Sequence, residues 1–294
     1  MDIPTKRLSN GFEIPVYGLG TWAMGGKWEA DPSRDEQDLA GIRAALVRGV
    51  RHIDTAESYA AGHAEELVGQ VLRDAPRQDV LLVTTKFSPG HARYGDVLQA
   101  CEASLRRLGT DYLDLYLLHA PSSVPITETM QAMNELVRRK LVRWIGVSNF
   151  GVDRLREAQA VSEQPIVVNQ VYYNLGSREA ETSGLLSYCQ QHDVILEAYR
   201  PLEKGLLASQ GNPLIEELVA KYHKTPAQLA LNWLITQPNV VTIVKTSSPD
   251  HLDENLGALG WELKADDVER LRTDFPHEVT SDEFPLTTRS DDWE

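Results

Sequence analysis

Cysteine is almost missing from this chain. Cys101 and Cys189 are the only two, too few for a disulfide framework and without metal-ligand spacing. Such usage fits a reducing compartment, and a cytoplasmic protein is expected. Long apolar runs are missing as well. No stretch approaches the length of a membrane span. The first residues, Met1-Asp2-Ile3-Pro4-Thr5-Lys6, lack the apolar core of a secretory signal. Basic residues are short, with 29 Lys and Arg against 43 Asp and Glu and a net charge of −14. That disfavours nucleic acid or an anionic membrane as a partner. Any phosphate must therefore be held by a local cluster working against the overall field. There is no Gly-x-Ser-x-Gly turn and no metal-ligand pattern, which disfavours serine acyl transfer and metal-assisted hydrolysis. Nor is there a glycine-rich dinucleotide fingerprint, since Gly18-Leu19-Gly20 runs directly into Thr21, Trp22 and Ala23.

What the 294 residues do contain is an alternation. Mostly apolar runs at 16–20, 51–54, 80–85, 113–118, 144–149, 166–171, 194–199 and 240–245 read as strands, each followed by helical sequence. Strands apolar on both faces belong in a parallel sheet covered by helices. With no dinucleotide fingerprint after the first strand, the expectation is α/β: a closed (β/α)8 TIM barrel, one domain over residues 1–294. Residues 6–14 read as a hairpin plugging its bottom, with Asn10-Gly11 as a two-residue turn. An extra helix is expected at 264–272, and then an irregular tail from Phe275 to the end, anchored by Phe284 and Trp293.

Chemistry in such barrels sits at the carboxyl ends of the strands. There the chain places Asp54 and Tyr59, five residues apart, then Lys86, then His119. A free phenol, with a pKa of about 10, is a poor proton donor at neutral pH. A neighbouring ammonium such as Lys86 is expected to pull it down, with Asp54 keeping the lysine charged. His119 is expected to bond the substrate oxygen or relay a proton. The set makes a general acid aimed at a carbonyl oxygen. It has no reductant of its own, so a nicotinamide cofactor must bring the hydride.

The run from Gly49 through Arg51-His52-Ile53-Asp54-Thr55-Ala56-Glu57-Ser58 to Tyr59, with Lys86 and His119 at those distances, closely resembles the aldo-keto reductase family. The likeness extends from Gly18-Leu19-Gly20-Thr21-Trp22 to Glu254-Asn255. It implies an NADP(H)-dependent oxidoreductase for small carbonyl substrates, with NAD(H) possible and a monomer expected. By that resemblance Trp22, Phe87 and Ala120 line the substrate pocket with Tyr59 and His119. Gly20, Thr21 and Asp54 border the cofactor, Ser148, Asn149 and Gln170 hold its carboxamide, and Tyr199 stacks on its ring. Arg200, Pro201, Leu202 and Lys204 belong to a loop over the pyrophosphate, with Arg200 expected to reach a phosphate. Lys245, Thr246, Ser247 and Ser248 would take the 2′-phosphate at a helix amino terminus, which favours anions. Glu254 and Asn255 would face the adenine. His251 stands where the family's usual arginine would grip that phosphate, which weakens the preference for NADPH. Ala120 replaces a bulky aromatic of some members and leaves a roomier pocket. Two rival readings remain: a lyase using Lys86 as Schiff-base nucleophile, and a regulatory module resembling potassium-channel β subunits.

Overall fold

The computed structural model describes residues 2–74, 82–208, 211–278 and 285–286, the side chains of Lys204 and Ala208 excepted. The tail anchors Phe284 and Trp293, and the start of the run at 80–85, lie outside the described residues.

A short antiparallel pair comes first, β1 (Thr5–Arg7) and β2 (Glu13–Pro15). Then follow β3 (Tyr17–Gly20), α1 (Asp35–Val47), β4 (His52–Asp54), α2 (His63–Asp74), β5 (Leu82–Phe87), α3 (Tyr94–Leu108), β6 (Leu113–Leu118) and α4 (Ile126–Arg138). The chain continues through β7 (Val142–Ser148), α5 (Val152–Val161), β8 (Ile166–Tyr172), α6 (Glu179–Thr182), α7 (Leu185–Gln191) and β9 (Ile195–Tyr199). It ends with α8 (Pro213–Tyr222), α9 (Pro226–Ile235), β10 (Val240–Val244), α10 (Pro249–Leu256) and α11 (Ala265–Thr273). Eight parallel strands close in the order β10-β3-β4-β5-β6-β7-β8-β9. Each strand lies within a residue or two of its expected bounds. No helix among the described residues is long and apolar enough to cross a membrane.

The hairpin does plug the barrel. Leu8, Phe12 and Ile14 pack with Leu82, Leu115, Leu117, Val167, Val168, Ile195 and Val241, which point inward from the strands. Phe12 meets the edge of Trp144 with ring centroids 5.5 Å apart. The turn differs from the two-residue form expected. Leu8 N–H bonds Phe12 O at 2.9 Å, so three residues turn the chain, and Gly11 alone takes positive φ, at 91°. Asn10 instead uses its side chain, whose Oδ1 accepts from Phe12 N–H at 2.9 Å. A side-chain acceptor therefore replaces one ladder bond.

Local chemistry sets the helix limits. Gly109 ends α3 in the left-handed region, at φ 64°. Thr225 and Gln228 form a reciprocal capping box on α9, with Pro226 in the first turn. α11 is the expected extra helix, and a buried arginine holds it down. Arg178 donates to the Arg272 carbonyl at 2.7 Å and to the Leu271 carbonyl, satisfying the helix's last turn, and lies 4.8 Å from the Trp233 ring.

Strand register decides what shares the mouth. Gly20 pairs with Asp54, Ser148 with Gln170, Gln170 with Glu197, and Tyr172 with Tyr199. The β7–β8 pairing slips between Ile145 and Gly146. A Cβ at Gly146 would come within 2.7 Å of the Val168 carbonyl oxygen, so glycine permits the close approach there.

Candidate active site

Lys86 lies at the centre of the mouth. It comes one residue before the end of β5, and its side chain is fully buried. Its three ammonium hydrogens have three acceptors: Asp54 Oδ1 at 2.7 Å, the Thr55 carbonyl at 2.9 Å and Tyr59 Oη at 3.3 Å. Asp54 ends β4, and Tyr59 begins a short 3-10 turn before α2 in which Ala60 and Ala61 take positive φ. That strained turn brings the phenol back over the lysine. His119 follows β6 directly, and its ring meets Tyr59 edge-on at 5.6 Å. Asp54, Tyr59, Lys86 and His119 thus converge as expected.

Electrostatics correct one part of the expectation. Burial would strip the Lys86 ammonium of its proton, but Asp54 and Tyr59 together outweigh it, and its pKa lies above the usual value. Burial also raises the Tyr59 phenol, with the Lys86 charge pulling the other way. The net direction is up, not down: desolvation of a phenolate here costs more than one ammonium returns. Burial raises Asp54 as well, against Lys86 and a Gln170 hydrogen bond. The His119 imidazole is pushed down to about 3 by burial and by Lys86, so it is neutral at physiological pH. A neutral imidazole can offer a hydrogen bond from one ring nitrogen and accept one at the other.

A second polar layer, missed in the sequence, lies under these groups. Glu197 on β9 is fully buried and accepts from Gln170 Nε2 at 2.7 Å, while the same nitrogen donates to Asp54 Oδ2 at 2.9 Å. His52, also fully buried, meets Thr84 Oγ1 at 3.0 Å. An acid inside the otherwise apolar run 194–198 was the available signal.

Around the rim, Trp22 packs edge-on against Tyr59 at 5.0 Å and against Trp28 at 4.7 Å. Trp28, left out of the expected site, is 69% exposed. Ala120 is buried beside His119. Phe87 departs from expectation. Side chains alternate along a strand, so with Lys86 inward Phe87 turns outward, where it packs on Tyr116 at 5.0 Å. Its carbonyl still serves the site by accepting His119 N–H at 2.9 Å.

The strand ends expected to hold a cofactor are tightly linked. Thr21 donates from N–H and Oγ1 to the Asp54 carbonyl. Ser148 Oγ donates to the Gln170 carbonyl at 2.8 Å. Asn149 Nδ2 donates to Ser148 Oγ and to the His119 carbonyl, and Asn149 Oδ1 accepts from Tyr199 Oη at 2.9 Å. Past Tyr199, Arg200 takes φ 52° and lies 5.9 Å from the Tyr172 ring, with Pro201 buried and Leu202 half-buried behind it. Lys204 belongs to the side chains not described. At the end of β10, Lys245 is exposed and makes no ion pair or hydrogen bond among the described residues. Thr246 Oγ1 accepts from Ser248 N–H, and Ser248 Oγ caps α10 by accepting from His251 N–H. Ser247 does not join them. Its hydroxyl turns inward to Asp38 Oδ1 on α1, at 2.7 Å, because α1 packs directly on this loop. Glu254 is half-buried, and Asn255 is buried beside the Tyr17 hydroxyl.

Comparison with known proteins agrees with this geometry. Residues 17–273 match the model of the aldo/keto reductase family. The methylglyoxal reductase YeaE of Escherichia coli (strain K12) is 37% identical over 274 residues, covering 92% of this chain and 94% of that one. The thermostable aldo-keto reductase Tm1743, solved with the inhibitor epalrestat, superposes with a TM-score of 0.88 at 44% identity, covering 92% of this chain and 98% of its own. An aldo-keto reductase from Klebsiella pneumoniae in complex with NADPH gives 0.85 at 37% identity, covering 95% and 97%. With the barrel, the buried Asp54–Lys86–Tyr59 cluster and a family match over most of its length, this chain belongs to the aldo/keto reductase family.

Proposed function

We propose that this NADP(H)-dependent oxidoreductase reduces aldehydes and ketones to alcohols with Tyr59 as the proton donor. One observation carries the assignment of roles: the buried Lys86 ammonium held between the Asp54 carboxylate and the Tyr59 hydroxyl. NADPH, when bound, supplies hydride to the carbonyl carbon. Tyr59 gives its proton to the carbonyl oxygen, and the phenolate that forms lies beside an ammonium already in place, so little has to reorganise. With a raised pKa the phenol holds its proton until the oxygen needs it. The phenolate regains its proton from water once the alcohol has left, on the side of Tyr59 that stays 9% exposed at the mouth. His119, neutral and with Nδ1 facing Ser58 Oγ at 3.4 Å, has Nε2 left to bond the substrate oxygen.

The residues present fit the cofactor. Exposed Lys245, without a partner among the described residues, stands beside the capped start of α10, where N–H groups favour an anion. Lys245, Thr246 and Ser248 would hold the 2′-phosphate, and Tyr199, fixed by Asn149, would flank the ring. Small oxoaldehydes are the first substrates to try, given the methylglyoxal reductase among the relatives. A Schiff base at Lys86 is disfavoured, because all three ammonium hydrogens are engaged and the group holds its proton.

Tyr59→Phe is the direct test. Its kcat with an aldehyde and NADPH is expected to fall on the order of a hundredfold or more, with NADPH affinity nearly unchanged. A variant keeping half the wild-type rate, with chemistry shown to be rate-limiting, removes Tyr59 from the mechanism. Wild-type protein that binds NADPH but turns over no aldehyde or ketone favours the regulatory reading instead.

A further inference from the structure

Glu197 takes no part in the proton transfer just described, yet it is built into the site. It is the register partner of Gln170, and its Oε2 takes one hydrogen of the Gln170 amide nitrogen at 2.7 Å. Asp54 Oδ2 takes the other at 2.9 Å. An amide nitrogen has two hydrogens, so both are used between two acids. Turning the amide over is opposed by Asp54: its Oδ2, on a carboxylate kept ionised by Lys86, would then face the amide oxygen in a buried space and lose its donor.

The end of Gln170 left for a ligand is therefore Oε1, an acceptor. Its neighbours are committed elsewhere. The Ser148 hydroxyl donates to the Gln170 carbonyl, both hydrogens of Asn149 Nδ2 are taken, and Asn149 Oδ1 receives the Tyr199 hydroxyl.

Glu197 Oε1 and His52 Nδ1 face each other at 3.5 Å, and neither has another partner among the described residues. Burial, and then the Asp54 charge, push the Glu197 acid up to about 8. Burial and Lys86 push His52 down to about 3. Of the acids here, the single Lys86 charge is matched by Asp54, the one it touches. Whether or not it carries a proton on the oxygen facing His52, Glu197 accepts from Gln170 with Oε2.

We propose that Glu197 is a positioning residue which, with Asp54, locks the Gln170 amide so that its oxygen reads the NH2 of the primary carboxamide on the cofactor's pyridine ring. The inference rests on the reductase reading above. The probes are NADP+ and its 3-acetylpyridine analogue, which keeps the ring carbonyl and carries a methyl in place of the NH2. Binding to the full chain is followed by quenching of its tryptophan fluorescence.

Wild type is expected to prefer NADP+ about fivefold, the effect of one net hydrogen bond. Glu197→Leu removes the acceptor and should bring the ratio close to one by weakening NADP+ alone. Glu197→Gln keeps an acceptor for Gln170 and a donor for His52, and should restore the wild-type ratio. A residue that merely fills space would weaken both ligands together. Should the leucine variant fail to fold, Glu197→Met offers an unbranched apolar replacement. An apolar variant with the wild-type ratio, a glutamine variant without it, or a wild type that does not discriminate overturns the inference. Failure of wild type to bind NADP+ at all overturns the reductase reading as well, whereas intact binding with an unchanged ratio overturns this inference alone.

Discussion

Lys86→Met removes one charge, and its consequences divide into two parts that can be measured separately. At 3.3 Å from Tyr59 Oη, the ammonium favours phenolate by about 5 kcal/mol at an effective dielectric of about 20. Its loss should raise the phenol further, because the one charge that opposes burial is gone. In the oxidation direction, the apparent pKa assigned to Tyr59 should rise accordingly. In reduction, kcat should fall on the order of a hundredfold or more, since the phenolate loses its only adjacent cation among the described residues. The second part is stability. Asp54 is 1% exposed and loses its 2.7 Å partner, and breaking such a buried pair costs about 3–5 kcal/mol. Adding Asp54→Asn relieves that buried charge. The double variant should therefore recover much of the stability, read by urea unfolding, while recovering none of the activity, read by NADPH oxidation. If kcat returns together with stability, Lys86 only supports the fold and the argument for its chemical role fails. An unchanged pH profile in a residually active Lys86→Met would equally refute the coupling.

Glu197→Gln should change how stability depends on pH. The acid is about 8 in the fold against about 4.3 in an unfolded chain, so folding takes up a proton in that window. Stability is greatest below the unfolded value and falls as pH rises toward the folded one, by up to about 1.4 kcal/mol per pH unit. Urea midpoints at about pH 6 and about pH 8 should differ more for wild type than for the variant; equal differences would show that Glu197 does not titrate there. His251 is exposed in the first turn of α10. His251→Arg adds a planar charged fork and should tighten NADPH by about 1–3 kcal/mol while leaving NADH nearly unchanged; fluorescence titration of both cofactors decides, and no gain in the ratio means that position 251 does not face the phosphate. Phe12→Ala, which empties the centre of the plug against Trp144, should cost about 3–5 kcal/mol in urea unfolding with little effect on KM, and a large KM change would show that the plug reaches the site.

The barrel was legible in the sequence because each strand is a local signal: a short apolar run, bounded by polar residues, followed by helical spacing. The same locality exposed the chemistry. Asp54, Lys86 and His119 interrupt or end apolar runs, and the common direction of parallel strands puts all such ends on one rim. Tyr59 was reachable because it follows Asp54 by a single turn. The three-residue hairpin turn was less legible, since Asn10-Gly11 suits more than one geometry and the Asn10 side chain chose between them.

Tertiary structure alone decided the rest. Phe87 faces outward because Lys86 faces inward, a choice of side that an apolar run does not display. Ser247 bonds Asp38, and Glu197 shares Gln170 with Asp54, because closing the barrel brings together elements far apart in the chain. The direction in which the Tyr59 phenol moves is of the same kind. Sequence showed a lysine near a tyrosine, from which a lowered pKa follows if the pair is wet. Desolvation is set by everything that encloses the pair, and in this fold it outweighs the one charge that the motif displays. Residue types and spacing therefore determined which groups meet at the mouth, while burial and the contacts made within it determined how their pKa values move and which hydrogen bonds they can still offer.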